Sequence, residues 1–429
     1  MKIVRDAVHG DMAFDELEWR VIDTPPMQRL RGIKQLGMAS LVFPAAVHTR
    51  FEHSLGAAWM AKRLLQALAE NGADISQEDP RTAVLATLLH DVTHVPFGHT
   101  FEDERRLFGR HDEDLGRLDY FLSHADLKKA LDDAGEFERV RDVLAKSTSA
   151  SPLAKDVVAG AVGADLLDYL PRDALFCGLA LKYDERLFQL FTVVDGRLVV
   201  KLHKGGTLRR DALSELIHLL QMRYALTERV YYHHAKCAAG AMVSRALEMA
   251  FEAGQFETIF LWLMRDDTLL RHFEAVGYEV PGVGEIVHGL LNRRLFKRVY
   301  TTTLTGFGRP GLLTAERDAL AAEFHYDSKR RRTAERSIAE RLGVAESHVI
   351  IYCPSPTMAL KEADVPVEIA PGVVRSLADL GHPDVEGLKQ KHAGIWRFYV
   401  FLKRDAPVDW RQAGLACEEV VGSPNLLGR

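Results

Sequence analysis

The most informative stretch of the chain runs from residue 88 to residue 99 and reads Leu-Leu-His-Asp-Val-Thr-His-Val-Pro-Phe-Gly-His. It places His90 next to Asp91, and two adjacent side chains can ligate one metal ion only where a helix ends or the backbone turns sharply. Pro96 and Gly98 supply such an ending. The stretch therefore indicates a metal site at the end of a helix.

Helical patterns surround this stretch. Apolar residues recur at near-helical spacing from Ser54 to Glu70, and a second helix is predicted from Arg81 to about Asp91, after Pro80. Further helices are predicted over residues 114–146, 153–175, 185–191, 211–251, 256–274 and 283–297. We therefore expect a mainly α protein, in which a helical bundle dominates through about residue 300.

The last quarter of the chain has a different pattern. Short β-branched or alternating runs predict strands, at Leu198–Val200 within the helical part and then at Thr301–Thr303, Val349–Tyr352, Pro366–Ile369 and Ile395–Leu402. We expect a larger, mainly helical part over residues 1–300 and a smaller α+β lobe over 301–429. The basic run Lys329–Arg332 is interpreted as a solvated helix start rather than a binding patch.

Composition excludes several classes of protein. The 429 residues are 47% hydrophobic, which is enough for one large core or two to three domains. With 55 Lys and Arg against 60 Asp and Glu, the net charge is -5, so no overall basic field favours a nucleic-acid or membrane partner. The four cysteines form no C-x-x-C pair, and the N-terminus has no signal-like pattern. We expect a soluble, cytoplasmic protein.

Three predicted helices could bring metal ligands to one point. His53 opens the first, His90 and Asp91 end the second, and Asp165 lies within the third. Such a mixed nitrogen and oxygen set suits one divalent transition metal, Mn, Fe, Ni or Zn, with positions left open for water or substrate. A bound divalent ion can lower the pKa of its water towards about 7 and stabilise charge on phosphoryl oxygens. The set predicts hydrolysis of a phosphate ester.

The residues that follow His90 and Asp91 decide between a catalytic and a structural interpretation of the site. A single histidine at a helix start is more often a capping or packing residue, but His94, His99 and His111 follow on one segment. Glu102, three residues after His99, could orient its imidazole and leave the other ring nitrogen to protonate a leaving oxygen, so we expect a general acid there. For His111, spacing alone favours a surface residue in an acidic loop.

The chain resembles the HD-domain deoxynucleoside triphosphate triphosphohydrolases, in particular the sterile-alpha-motif-and-HD-containing branch. The resemblance extends to about residue 300, is weaker in the last lobe, and includes no preceding sterile-alpha-motif domain. It implies that residues 1–300 form an HD-domain catalytic core, a helical bundle with an N-terminal activator-site segment. It rests on stretches in their proper order, namely Asp6–Gly10, Ile22–Pro25, Gln28–Gly37, Val42–Pro44, Thr49–Gly56, Asp165, Tyr169, Asp173, Arg223, Tyr231, His233 and Arg293–Lys297.

The resemblance implies a role for each matching residue. The implied metal ligands are His53, His90, Asp91 and Asp165. The implied catalytic residues, facing the triphosphate, are His94, His99 and His111, with Glu102 behind His99. The implied substrate-binding residues are Arg50 and Arg223 for phosphates, Gln35 and Leu36 for the 3′ side of deoxyribose, and Tyr169, Asp173 and Tyr231 for the sugar and base.

The resemblance also implies the reaction and its regulation. Water would attack the α-phosphorus of a dNTP substrate, with Mg bound to the phosphates, and release deoxynucleoside and intact triphosphate. A GTP or dNTP activator would promote a homo-oligomer, a tetramer or a dimer, with no membrane partner and no indicated nucleic-acid partner. The implied activator-binding residues are Lys2, Asp23, Gln28 and Arg31 for guanine nucleotide, and Val42, Phe43, Arg293 and Lys297 for a deoxynucleotide.

The sequence departs from the family pattern near both sites. Leu166 stands where the branch has a phosphate-binding lysine, so one cation facing the triphosphate is missing. Arg5 and His234 stand where the deoxynucleotide activator site has asparagine and lysine, which predicts altered or relaxed activator choice.

Two alternatives stay open. Leu166 favours an HD phosphohydrolase that acts on a less charged compound, such as a nucleoside monophosphate or a guanosine alarmone. A non-catalytic nucleotide sensor or nucleic-acid-binding assembly is the other alternative. It is disfavoured by the full metal set, because a sensor has no need of His94, His99 and Glu102 together.

Overall fold

The computed structural model describes residues 1–306, 310–357 and 360–427. Its α-helices, in chain order, are α1 Glu16–Ile22, α2 Pro25–Arg29, α3 Arg50–Glu70, α4 Asp79–Leu89, α5 Leu115–Leu122, α6 Ala125–Asp132, α7 Phe137–Leu144, α8 Pro152–Ala159, α9 Ala164–Phe176, α10 Arg210–Leu226, α11 His234–Glu252, α12 Thr258–Leu263, α13 Asp266–Val276, α14 Pro281–Leu291, α15 Thr314–Phe324, α16 Ser328–Leu342, α17 Pro383–Ala393 and α18 Trp410–Val421.

The strands form small sheets. They are β1 Lys2–Asp6, β2 Gly10–Phe14, β3 Phe191–Val194, β4 Arg197–Lys201, β5 His203–Lys204, β6 Thr207–Leu208, β7 Lys297–Thr303, β8 Val349–Tyr352, β9 Pro366–Ala370, β10 Val373–Ser376 and β11 Arg397–Leu402. β1 pairs with β2, and β5 with β6, as antiparallel hairpins. The order β7-β11-β8 makes an antiparallel sheet, and β10-β9-β4-β3 makes a mixed sheet in which β4 and β9 are parallel.

Local sequence fixes the helix ends that present the site. The Glu52 carboxylate accepts hydrogen bonds from the Thr49 backbone N–H and, at 2.6 Å, from its hydroxyl, so α3 begins at Arg50. Pro80 lies in the first turn of α4, where its missing N–H has no helical partner to lose. Phe97 and Gly98 both have φ of 60°, which reverses the chain after α4.

The main core is built on α3. This helix is buried along most of its length and packs against α4 and α9, with Leu55, Ala58 and Leu64 among its buried side chains. A second hydrophobic cluster surrounds α11, and a third fills the C-terminal lobe around Trp396 and Phe398. Burial of these faces is the main favourable contribution to folding.

Two strands from the last part of the chain join the helical part. β9 and β10 extend the sheet that β3 and β4 begin, because β9 pairs with β4 at Val200 and Lys201. The turn before β9 is thereby held against the bundle. The division into residues 1–300 and 301–429 stays a proposal.

The mainly α fold with a smaller C-terminal α+β region is confirmed. The strands predicted from sequence are present, β8 with the predicted ends and the others with shifted ends, whereas five of the predicted helices are wrong in extent. The segment 114–146 contains α5, α6 and α7; 153–175 contains α8 and α9; 211–251 contains α10 and α11; 256–274 contains α12 and α13; and 283–297 ends its helix at Leu291 before β7. Helical periodicity continues across these breaks, because short loops keep the apolar faces of successive helices directed at one core.

The basic run Lys329–Arg332 lies in the first turns of α16, whose N-cap Asp327 accepts a hydrogen bond from the Arg330 backbone N–H. The expectation of a wholly solvated run is wrong at Arg331, which is 1% exposed. Its guanidinium donates to the backbone oxygens of Phe324, at 3.0 Å, and Arg105, at 3.2 Å. These carbonyl acceptors, together with nearby carboxylates, allow a charged side chain to be buried.

Within the described ranges, none of the helices combines the length and the apolar composition needed to cross a lipid bilayer.

Candidate metal centre and adjoining pocket

Four side chains from three helices converge at one point. The Nε2 atoms of His53 on α3 and His90 after α4 lie 3.2 Å apart. Asp165 Oδ1 on α9 lies 3.1 Å from His53 Nε2 and 3.7 Å from His90 Nε2. The two Asp91 oxygens lie 3.7 Å from His53 Nε2 and 3.5 Å from His90 Nε2. The structure therefore brings together all four residues expected to hold the metal.

Hydrogen bonds orient both imidazoles. His53 Nδ1 lies 2.7 Å from Asp168 Oδ2, and His90 Nδ1 lies 2.6 Å from the Thr87 backbone oxygen. Each Nδ1 faces its own acceptor, so each Nε2 is the ring nitrogen that points at the other site residues. This is the arrangement by which carboxylates and carbonyls fix metal-binding histidines.

The electrostatics favour a cation at the centre. Burial lowers the pKa of His53, but hydrogen bonds to Asp165 and Asp168 outweigh it and raise the pKa to about 10. Although burial raises the pKa of Asp165, hydrogen bonds to His53 and His90 hold it below the usual range. Carboxylates that keep a proton on a buried imidazole would equally stabilise a bound metal ion. The donor set, two imidazole nitrogens and two carboxylates, fits a divalent transition metal.

A second group of imidazoles adjoins the centre. His94 Nε2 lies 3.0 Å from Asp91 Oδ1, and the His94 ring stacks on the His111 ring with centroids 3.6 Å apart. His99 Nδ1 and His111 Nδ1 both donate to Glu102 Oε2, at 3.3 Å and 3.0 Å. The expectation from spacing that His111 lies on the surface is wrong, since the residue is 8% exposed and packed in this group.

The protonation states of this group differ by residue. Burial, with Arg50 and His111 nearby, lowers the pKa of His94 well below its usual value, and burial also lowers the pKa of His111. Burial raises the pKa of Glu102, but hydrogen bonds from His111 and His99 hold it far below the usual range. Glu102 is therefore an ionised acceptor between two imidazoles.

The outer histidine is the accessible one. The His99 side chain is 44% exposed, whereas the His94 side chain is 1% exposed. The ligating nitrogens of His94, His99 and His111 lie within 4.8 Å of one another. However, the His94 and His111 rings face each other, whereas two imidazoles that bind one ion direct their edges at it. This geometry suits a wall of the site better than a second metal site.

Arg50 contacts the metal centre rather than open solvent. Its Nη1 lies 2.7 Å from Asp91 Oδ2, and both side chains are almost fully buried. A Cβ on Gly98 would lie 2.5 Å from Arg50 Nη2. Gly98 therefore makes room for the guanidinium as well as turning the chain.

A pocket of aromatic and charged residues begins one turn further along α9. The Arg223 guanidinium lies 5.3 Å from the Tyr169 ring centroid and 5.1 Å from that of Tyr231. The Tyr231 hydroxyl donates to Asp173 Oδ2 at 2.6 Å, and His48 Nε2 lies 2.9 Å from Asp173 Oδ1. Burial raises the pKa of both tyrosines well above the usual value, so their hydroxyls stay donors.

The remaining predicted pocket residues differ in their surroundings. Gln35 and Leu36 are half-buried before α3, and Gln35 Oε1 is buried without a hydrogen-bond partner among the described residues. Leu166 is 5% exposed and belongs to the main hydrophobic cluster. The position at which the resembled branch has a lysine is thus a core position in this chain.

The eight residues expected to bind an activator are all exposed or half-buried, and they comprise the two sets expected for guanine nucleotide and for deoxynucleotide. In the first, the Lys2 ammonium lies 4.9 Å from the Trp19 ring centroid, Arg31 Nε donates to Gln28 Oε1 at 2.7 Å, and Asp23 is the exposed C-cap of α1. The described structure gives these residues no direct contact with the metal centre.

The second group lies where α11 begins. Arg293 Nε donates to the Leu41 backbone oxygen at 2.7 Å, beside Val42 and Phe43. The Phe43 ring contacts His233, whose ring stacks on His234 with centroids 4.7 Å apart. Burial, together with Arg298, His233 and Lys297, lowers the pKa of His234 to about 4. The group is basic even with its histidines neutral.

Comparison with known protein families identifies the bundle. The HD domain profile matches residues 50–169, and the profile described as HD associated region matches residues 184–417, more than half of the chain. The chain belongs to the HD-domain hydrolases. The expected family is thereby confirmed, and HD domains bind a divalent metal with residues of the type assembled here.

Several curated proteins are similar to this HD-domain chain. An uncharacterized protein from Methanocaldococcus jannaschii is 32% identical over 249 residues, 58% of this chain and 49% of that protein. The deoxynucleoside triphosphate triphosphohydrolase SAMHD1 homolog from Dictyostelium discoideum is 28% identical over 317 residues, 70% of this chain and 60% of that protein. The chain thus spans about half of the curated relatives it matches.

A solved structure has the same fold. A hypothetical protein from Aquifex aeolicus superposes with a TM-score of 0.71 at 22% identity, covering 97% of this chain and 99% of that one. The comparison extends over the C-terminal lobe as well as the HD domain.

Sequence reasoning missed three residues of this HD-domain site. Asp168 accepts from His53, and His9 Nε2 lies 2.6 Å from the other Asp168 oxygen. Glu362, from a turn before β9, contacts Arg223. Asp168 follows Asp165 by three residues and shares its helical face, which is a signal for a supporting carboxylate. Glu362 carries no comparable local signal.

Proposed function

We propose that this protein hydrolyses deoxynucleoside triphosphates to a deoxynucleoside and inorganic triphosphate with the help of a divalent metal. The observation that carries the proposal is the close approach of the His/Asp centre to the imidazoles held by Glu102. Similarity to a deoxynucleoside triphosphate triphosphohydrolase supports the substrate class.

Each group has a proposed part in the reaction. His53, His90, Asp91 and Asp165 would hold the ion, which when bound supplies a Lewis acid for the phosphoryl oxygens. Arg50 and Arg223 would hold phosphate oxygens, because guanidinium groups pair well with phosphate. His94 and His111 would face the phosphates as neutral imidazoles. We also propose Mg with the substrate phosphates.

His99 is the proposed general acid. Its Nδ1–H donates to ionised Glu102, and its exposed ring leaves Nε2 to deliver a proton to the leaving sugar oxygen. Tyr169, Asp173 and Tyr231 would line the sugar and base pocket, and Gln35 and Leu36 would lie towards the 3′ side. These groups need only bind, orient and move one proton.

Product analysis tests the reaction. Each of the four dNTPs is incubated with protein and Mn, Fe or Mg, and the products are separated by chromatography. Equal amounts of deoxynucleoside and tripolyphosphate are expected, whereas nucleoside monophosphate with pyrophosphate would contradict the proposal.

Substitutions test the residue roles. His90→Ala and Asp91→Ala should lose metal and turnover together. His99→Ala should keep its metal and lose turnover by about 100-fold or more, as expected for a general acid. Metal content by mass spectrometry separates the two classes, and loss of metal from His99→Ala would contradict the assigned role.

A second candidate reaction is hydrolysis of a less charged compound, such as a nucleoside monophosphate. The burial of Leu166 in the core favours it, because a cation that would face a triphosphate is replaced by an apolar side chain. Release of inorganic phosphate from monophosphates, with no turnover of dNTPs, would select this candidate.

We further propose nucleotide activation, a homotetramer or dimer, and a cytoplasmic location. The exposed groups around Arg31 and Arg293 support an activator site, and the four free, buried cysteines are compatible with a reducing compartment. Arg31→Ala should abolish stimulation by GTP and leave the basal rate unchanged. A basal loss as large as that of His99→Ala would contradict this assignment, and size-exclusion chromatography with and without nucleotide tests assembly.

A further inference from the structure

The pocket contains a carboxylate from a distant part of the chain. Glu362 Oε1 lies 3.1 Å from Arg223 Nε and 3.3 Å from the Tyr169 hydroxyl. The Glu362 side chain is only 13% exposed, so it is largely enclosed in the pocket rather than on the surface. Arg223 and Tyr169 belong to the helical bundle, whereas Glu362 belongs to the turn Lys361–Asp364 before β9.

The backbone of this turn is anchored. Leu360, Ala363 and Val365 are at most 5% exposed and belong to the main hydrophobic cluster. The Ala363 N–H donates to the Leu360 oxygen at 2.9 Å, and β9 follows directly. The Glu362 carboxylate can therefore leave Arg223 by rotation of its side chain, while the turn stays in place.

Glu362 offers Arg223 and Tyr169 what a phosphate group would offer. A carboxylate oxygen and a phosphate oxygen both accept from a guanidinium N–H and from a hydroxyl, and both carry negative charge. The Arg223 Nε–H makes no aligned hydrogen bond in the described structure, so its contact with Glu362 is chiefly an attraction of opposite charges. A substrate phosphate placed against the same guanidinium would lie beside the Glu362 carboxylate and be repelled by it. An anionic ligand at this position competes with Glu362.

We propose that Glu362 is an internal ligand that occupies the anion position formed by Arg223 and Tyr169 and is displaced when a phosphorylated substrate binds. The inference rests on the proposed function for the assignment of Arg223 to phosphate. A ligand with several charges regains elsewhere what it loses in displacing Glu362, whereas a weakly charged nucleoside does not. The internal carboxylate therefore selects for polyanionic ligands.

Binding of inorganic tripolyphosphate, followed by isothermal titration calorimetry on the full chain, tests the proposal. Glu362→Gln keeps the shape of the side chain and removes its charge. Its dissociation constant for tripolyphosphate should fall about tenfold, equivalent to about 1.4 kcal/mol. Asp364→Asn is the matched control, because Asp364 is an exposed carboxylate on the same turn, and its dissociation constant should be unchanged.

A double-mutant cycle locates the effect at Arg223. In an Arg223→Gln background no guanidinium remains to be released, so Glu362→Gln should give no further gain. If Glu362→Gln still increases the affinity for tripolyphosphate in the Arg223→Gln background, or if Asp364→Asn increases it equally, the effect is one of general charge and the proposal is overturned. Unchanged or weaker binding by Glu362→Gln in the normal background would also overturn it.

Turnover separates failure of this inference from failure of the proposed function. If dNTPs are hydrolysed, Glu362→Gln should lower KM with little change in kcat, because the internal ligand competes only with ground-state binding. If dNTPs are converted to nucleoside and triphosphate but Glu362→Gln neither binds tripolyphosphate more tightly nor lowers KM, only the proposal of an internal ligand is refuted. Tighter tripolyphosphate binding without dNTP hydrolysis by either protein refutes the proposed function alone.

Discussion

Asp168 supports the candidate metal centre from outside the four converging donors. Its two oxygens lie 2.7 Å from His53 Nδ1 and 2.6 Å from His9 Nε2, and both also contact the Arg172 guanidinium. The residue is fully buried. Because Asp168 fixes the tautomer and the direction of His53, it controls how that imidazole meets a metal ion.

Asp168→Asn should weaken metal binding by about 10- to 100-fold, the usual effect of losing a carboxylate behind a ligating histidine. Metal affinity is measured by competition with a chelating dye, after thermal melting has shown that the variant is folded. Asp133→Asn is the control, because that carboxylate lies on the surface, paired with Arg20 and Lys129. Equal affinity of the two variants would rule out a role for Asp168 in positioning the ligand.

Residue-level predictability depends on sequence separation. The pair His90 and Asp91, and the pair His99 and Glu102, are readable from sequence because each forms a local pattern. The contact of Asp168 with His53 spans 115 positions, and that of Glu362 with Tyr169 spans 193. Asp168 is marked only by its spacing from Asp165, and nothing local marks Glu362. The meeting of such distant partners is decided by how α3, α9 and β9 pack.

At the scale of elements, α3 and α9 approach closely at Gly56. A Cβ at this position would lie 2.0 Å from Asp168 Oδ1 and 2.3 Å from Arg172 Nη2. Both atoms belong to a buried ion pair with few alternative positions. Gly56 is therefore required by the packing of two helices rather than by its backbone conformation.

Gly56→Ala should destabilise the protein by about 1 to 3 kcal/mol, the usual cost of overpacking a core, and should weaken metal binding through Asp168. Gly387→Ala in α17 is the matched control, because a Cβ there meets no atom within 4 Å. That control should be neutral or more stable by up to about 1 kcal/mol, as expected for alanine in an open helical position. Urea denaturation distinguishes them, and equal stabilities would contradict the packing argument.

Glu104 adds a pH dependence to the contact between residues 90–104, which carry the clustered histidines, and α11. Its carboxyl is buried against Gly240, where a Cβ would lie 2.3 Å from Oε1. Burial raises the pKa of Glu104 from 4.5 to about 8. A folded-state pKa above the unfolded value means that stability is fully present below about pH 4.5 and is lost as pH rises through 8.

Glu104→Gln should therefore remove the loss of folding stability that accompanies rising pH. Its melting temperature should exceed that of the parent protein by about 2 °C or more at pH 8, with a smaller difference near pH 5. Melting curves across this range make the measurement, and the exposed Glu113→Gln should follow the parent at every pH. If Glu104→Gln raises the melting temperature equally at every pH, Glu104 is not the titrating group.

Element-level predictability follows from periodicity. The helices that frame the site were predictable because α3 and α4 each carry an apolar pattern between clear ends. The N-terminal hairpin was missed, because β1 and β2 are each five residues long and largely lack strict alternation of buried and exposed positions. The hairpin turn nevertheless brings His9 to Asp168.

At the scale of the whole molecule, a buried ionic network joins the C-terminal lobe to the segment of residues 90–104. Arg105, which follows that segment, donates to Glu335 Oε1 of α16 at 2.8 Å and to Glu248 Oε2 of α11 at 2.6 Å. Glu335 also accepts from the Ile351 N–H of β8 at 2.8 Å, and Arg331 lies beside Glu248. All four charged side chains are at most 7% exposed.

Removing one charged partner from such a network should lower the free energy of unfolding substantially. Glu335→Gln leaves Arg105 buried with part of its compensating charge removed, and loss of one partner from a buried pair typically costs about 3 to 5 kcal/mol. Glu419→Gln is the matched control, because Glu419 pairs with Arg341 of the same α16 in solvent, where a pair is worth at most about 1 kcal/mol. Urea denaturation of both variants measures the difference.

The network also predicts a functional effect. Arg105 directly follows the segment that carries His99 and Glu102. If the ion pair between Arg105 and Glu335 is broken, the positions of His99 and Glu102 should therefore be less well fixed. Glu335→Gln should therefore lower kcat under conditions where the protein is still folded, while its metal content stays normal. A stability loss equal to that of Glu419→Gln, or unchanged kcat in a destabilised Glu335→Gln variant, would mean that the lobe does not position residues 90–104.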